Sequence, residues 1–82
     1  MLKVNALYAA WAAVADARRE AQERTGLYLD HKFRRGLYQV VSLRFDGRGG
    51  LASERPASGW GTLHQLPTLY ESVQRREIHE EP

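Results

Sequence analysis

Two alternating stretches, residues 27–34 and 37–45, constrain this chain more than any other feature. In the first, Leu27, Leu29, His31 and Phe33 fall on one side and Tyr28, Asp30, Lys32 and Arg34 on the other. In the second, Leu37, Gln39, Val41, Leu43 and Phe45 alternate with Tyr38, Val40, Ser42 and Arg44. A period of two is the spacing of a strand. Only Arg34-Arg35-Gly36 separates the runs, so they are expected to form an antiparallel hairpin. A three-residue loop with Gly36 left-handed pairs Phe33 with Leu37, Leu29 with Val41 and Leu27 with Leu43, gathering both apolar rows on one face. A two-residue Arg35-Gly36 turn would set Phe33 against Tyr38 and mix the faces, so the longer loop is expected.

An apolar sheet face needs a cover, and amphipathic segments flank the hairpin. Residues 5–25 read as a helix with Asn5 as N-cap, a stripe of Val4, Leu7, Trp11, Val14 and Ala21, and Gly26 as its stop. Trp11, within the stripe, is expected in the core. A second helix is expected over 62–78, with capping-box patterns at Thr62–Gln65 and Thr68–Glu71 and a stripe of Leu63, Leu66, Tyr70 and Val73 that Ile78 would extend. Residues 46–50 form a turn. Residues 51–55 read equally as a short third strand or an irregular link, ended by Pro56, and residues 56–61 as a loop around Trp60. An acidic tail closes the sequence over 79–82. The expected fold is α+β in two layers, α-β-β-(β)-α, with an antiparallel hairpin or three-stranded sheet packed by two helices. With 82 residues and no internal repeat, one domain over 1–82 is expected.

The chain has no cysteine, which excludes disulfide scaffolds, thiolate nucleophiles and zinc ribbons. No run of 18 apolar residues occurs, and the opening residues do not read as a secretory leader. A cytoplasmic protein with no membrane partner is expected.

Net charge is only +2, but it is unevenly placed. Residues 1–50 carry 9 basic and 5 acidic groups, and residues 51–82 carry 3 and 5. Lys32, Arg34, Arg35, Arg44 and Arg48 concentrate around the hairpin, interleaved with Tyr28 and Tyr38. Cations neutralise phosphates and aromatic rings stack on bases, so this is the pattern of a nucleic-acid surface. It equally suits an acidic protein, and a charged sheet face also guards an edge against aggregation. Trp60, between two glycines, would cap a thin core if tucked in, the preferred reading, and anchor a partner if exposed.

His31, His64 and His79 have no metal-ligand spacing, and neither glycine cluster has phosphate-loop spacing, so no metal or cofactor is expected. His31 reads as a satisfied, half-buried histidine opposite Gln39. Glu80 and Glu81 lie in the tail, and Ser42, Ser53, Ser58 and Ser72 lack a nucleophile context, so no catalytic residue is assigned.

The α-β-β-β-α order resembles the double-stranded-RNA-binding domain, a topology shared with HicA-type toxin ribonucleases. That family's basic cluster at the start of the second helix is missing, since Thr62 to Glu71 hold no Lys or Arg. The toxins' Gly-Ser-His signature is also missing, since His31 follows Asp30. The expected function is a small non-enzymatic binding protein docking through its basic hairpin onto nucleic acid or an acidic protein surface. A phage or mobile-element inhibitor of a host nucleoprotein complex, similar in size and style to anti-CRISPR proteins, is the alternative. A small ribonuclease using His31 with Arg34 or Arg44 is the second alternative. A thin core and open sheet edges make homodimerisation a further expectation.

Overall fold

The computed structural model describes the backbone of residues 2–79 and the side chains of residues 5–77. The chain is α+β. Helix α1 spans Leu2–Thr25, strands β1, β2 and β3 span Tyr28–Arg34, Leu37–Phe45 and Leu51–Gly61, a 3-10 turn covers Leu63–Gln65, and α2 spans Leu66–His79. The strands form one antiparallel sheet in the order β1-β2-β3.

The hairpin turn is the two-residue one. Phe33 pairs with Tyr38, and Arg34 with Leu37. Arg35 and Gly36 both have positive φ, 53° and 81°, which makes a type I′ turn whose twist matches the flanking strands. The expected three-residue loop rested on placing both apolar rows on one face, which β2 does not require. In the middle of this central strand Val40 on the helix-facing side and Val41 on the open side are both buried. The rows therefore separate. Leu29, His31 and Phe33 share the helix-facing side with Tyr38, Val40 and Ser42, while Leu37, Gln39, Val41, Leu43 and Phe45 share the opposite side with Tyr28, Lys32 and Arg34.

The third strand is real and longer than residues 51–55. It runs through Pro56 and the expected loop to Gly61. Proline is compatible with an edge strand beside a bulge. The register shifts between Gln39 and Val41, so that residues 57–59 face Val40 alone. Ser58 Oγ accepts the Val40 N–H at 2.9 Å, and Gln39 Nε2 donates to the Ser58 carbonyl at 2.9 Å, which satisfies groups the bulge removes from the ladder. Asp46 closes the β2–β3 turn by accepting the N–H groups of Arg48 and Gly50.

The core lies between the helices and one sheet face: Val14 and Ala21 from α1, Leu29 and Val40 from the sheet, and Leu66, Tyr70 and Val73 from α2. On α1, Gln22 Oε1 accepts the Leu29 N–H at 2.9 Å, and Arg18 Nε donates to the Leu29 carbonyl at 2.7 Å, so helix side chains satisfy the outer edge of β1. Gly26, with φ 72°, ends α1 as expected.

Three further expectations are corrected. Asn5 is not a cap but lies inside α1, because Leu2 and Lys3 are good helix formers and nothing before Asn5 breaks the helix. Among the described residues the α1 stripe is buried only at Val14 and Ala21; Leu7 is 54% exposed and Trp11 37%, because this half of the helix is not covered by the core. At the second helix, Gln65 Oε1 accepts the Thr62 N–H at 2.8 Å, but a 3-10 turn precedes the α-helix, which starts at Leu66. Gly61 fits because a Cβ there would come within 3.1 Å of Gln65 Oε1 and 3.2 Å of Leu69. The Ile78 side chain and residues 80–82 of the acidic tail lie outside the described residues.

Candidate functional site

The expected basic cluster is divided by the register. Tyr28, Lys32 and Arg34 project from the open face of β1. Tyr38 and Arg44 belong to the helix-facing row of β2 and do not join them. Arg48 sits in the β2–β3 turn, at the opposite end of the strands from Arg35. With β2 nine residues long, the two ends are roughly 27 Å apart at ~3.4 Å per residue. The correction follows from the shorter turn, since a one-residue change in register moves every side chain of one strand to the other face.

Trp60 belongs with the open-face group. It is not core: it pairs with Gln39 on β3 and is 40% exposed. Together with Arg34, Arg35 and Leu37 it lines a shallow hollow of about 240 Å³ at the hairpin tip. Lys32 Nζ lies 6.0 Å from the Trp60 ring centroid, at the outer limit of a cation–π contact. Lys32 also pairs with Glu54 at 3.3 Å. Lys32 stands beside Gln39 and Glu54 beside Leu43, so this bridge runs diagonally across Val41 and accounts for its burial on a face that no helix covers. Farther along the same face, Tyr28 and Phe45 meet edge to face, 5.2 Å between centroids, next to Leu51. The open face thus has a basic end with one tryptophan and an apolar end with two aromatic rings.

The helix-facing side holds a different aromatic group. His31 lies opposite Val40, not Gln39, and among the rings of Trp11, Tyr38 and Tyr70, with centroids 5.8, 5.8 and 5.9 Å away. Its Nδ1 is 2.7 Å from Tyr70 Oη. Tyr70 is fully buried, and its hydroxyl proton needs an acceptor, so we assign Tyr70 as donor and Nδ1 as acceptor, with the imidazole proton on Nε2. Burial lowers the His31 pKa below its ordinary value; the Asp30 carboxylate opposes the shift and Arg18 adds to it. Burial raises Tyr70 well above the ordinary phenol range, against the pull of Arg18. Both effects favour the neutral pair. His31 and Arg34 project to opposite faces, so that one of the two pairings a ribonuclease could use does not form; Arg44 shares the helix-facing row with His31 but stands four residues along β2 from Val40, the residue opposite His31.

A pH effect follows. The native His31 pKa lies below the unfolded value near 6.5, so between the two the unfolded chain binds the extra proton. The stabilisation is complete above about pH 6.5 and declines as the pH falls through the native pKa. Urea melts between about pH 7.5 and 5 should show this decline, and His31→Gln should flatten it. An equal slope in that variant would mean that other groups carry the effect. Neither this pair nor its aromatic surround was expected from the sequence; the only signal was a histidine in an apolar strand row.

Among the described residues no three His, Asp or Glu side chains gather as a metal site. No described helix is long and apolar enough to cross a membrane. Compared with protein-family models, curated proteins and solved structures, the chain matched none.

Proposed function

We propose that the protein is a non-enzymatic binding module that docks onto single-stranded nucleic acid through the hairpin tip. The observation that carries this reading is the hollow lined by Arg34, Arg35, Leu37 and Trp60. A base stacks on the Trp60 ring while Arg34 and Arg35 take the flanking phosphates, the combination that sequence-tolerant single-strand binders use. Lys32 contributes less, because Glu54 already neutralises part of its charge. Tyr28 extends the surface along β1 as a second ring.

The test is fluorescence anisotropy of a labelled oligonucleotide at about 50 and 200 mM salt. Two to three phosphate contacts on a single strand give a log–log slope of roughly −1.4 to −2. Arg35→Asn should reduce the slope by about 0.7 while leaving the protein folded. It should also stabilise the fold by up to about 1 kcal/mol, because arginine is strained at φ 53° and Asn-Gly is a preferred type I′ pair. Absence of binding at 50 mM salt would sink the reading and leave an acidic protein surface as the partner class to examine.

A further inference from the structure

A second basic cluster lies far from the hairpin tip, between α2 and the far half of β2 and β3. The helix-facing row of β2 changes there from Val40 to Ser42 and Arg44, so a small polar side chain stands where an apolar one would have filled the space. Arg55 pairs directly with Ser42 on β3, and α2 brings Arg76 and Glu77 over them. The result is a hollow of about 380 Å³ containing Ser42, Arg55, Arg76 and Glu77 in its walls. A smaller hollow of about 160 Å³ shares Ser42, Arg55 and Glu77 with it and adds Arg44.

Three guanidinium groups and one carboxylate leave two positive charges around this space. Among the described residues, no ion pair joins Arg44, Arg55 or Arg76 to a carboxylate. Arg76 is oriented by its own contact, donating through Nη2 to the Ala57 carbonyl at the β3 bulge. Guanidinium forks and a serine hydroxyl are the donors that tetrahedral oxyanions accept from. All three arginines are exposed, so water screens part of their mutual repulsion, and a bound anion would relieve the rest.

We propose that this hollow is a binding site for a phosphate dianion, held chiefly by Arg55, Arg76 and Ser42, with Arg44 reaching in from the smaller hollow. The net charge of two that the described residues give it matches a dianion, either inorganic phosphate or a phosphomonoester on a small sugar. The volume admits a phosphate together with a sugar-sized group. Glu77 would accept a hydrogen bond from a sugar hydroxyl. The site is separate from the hairpin tip, and neither proposal depends on the other.

The experiment uses the whole protein, with inorganic phosphate and ribose 5-phosphate titrated by calorimetry and followed by thermal melts. Chloride at equal ionic strength is the control. At tenfold excess over Kd the melting temperature should rise by roughly 5–10 °C above the chloride control. Arg55→Gln and Arg76→Gln should each weaken binding about tenfold or more, and Arg44→Gln less. Arg35→Asn should leave it unchanged. Tighter binding of ribose 5-phosphate than of phosphate would support the site and identify a sugar phosphate; equal binding would support it with free phosphate as the ligand. No heat or melting shift beyond chloride, or binding that survives both the Arg55 and Arg76 replacements in folded protein, would overturn the proposal.

Discussion

Tyr70→Ala should lower the unfolding free energy by about 3–5 kcal/mol, the usual cost of deleting a buried aromatic ring. For 82 residues the whole stability is roughly 4–12 kcal/mol, so the variant should sit near the edge of folding. Its melting temperature should fall by at least about 12 °C. The reason is position: Tyr70 is the largest fully buried side chain, and it is the residue through which α2 reaches both the core and His31. Tyr70→Phe separates the two contributions. It keeps the ring, removes the hydroxyl and leaves His31 Nδ1 without its donor, at an expected cost of about 1–2 kcal/mol. Denaturant melts of the two variants measure both effects. A loss below 1 kcal/mol for Tyr70→Ala would mean that the core does not centre on this residue.

Trp60→Ala should weaken single-stranded oligonucleotide binding by roughly 5- to 150-fold, corresponding to about 1–3 kcal/mol for one stacked base. Its effect should differ in kind from that of Arg35→Asn. Loss of the ring should lower affinity at every salt concentration and leave the salt slope unchanged, because no counterion release is lost. Loss of the charge should flatten the slope. Trp60→Phe should recover part of the affinity, since a smaller ring still offers a stacking face. Unchanged affinity in Trp60→Ala, with a flattened slope in Arg35→Asn, would reduce the contact to simple charge neutralisation and remove the base-stacking role.

Local patterns were readable from the sequence. Alternation located both strands of the hairpin, apolar spacing located both helices, Gly26 marked the left-handed position after α1, and Gly36 marked one of the two in the hairpin turn. These features depend on a few neighbouring residues, so one sequence suffices to read them. The third strand was only half visible. Pro56 suggested a stop because proline lacks an N–H, but a sheet edge beside a bulge does not require one there. The members of the candidate site were readable as residue types, but their grouping was not. Tyr28, Lys32, Arg34 and Arg35 stayed with the hairpin's open face or tip, Trp60 joined them from a strand read as a loop, and Tyr38, Arg44 and Arg48 went elsewhere.

What the sequence determined by itself was therefore the order of the two helices and the hairpin, the α+β class and the concentration of positive charge near the hairpin. What only the tertiary structure decided was which face each side chain occupies. That turned on one residue of register, which β2 accommodates because its middle residues Val40 and Val41 are buried on opposite faces. An alternating strand pattern fixes two faces but does not say which of them a helix will cover. In β2 both rows contain apolar residues, so the decision fell to the type I′ turn and to the packing of Leu29, Val40 and Tyr70 against one another. The same decision placed Arg44 and Ser42 beneath α2, beside Arg55 and Arg76, residues from three separate elements that no spacing along the chain connects.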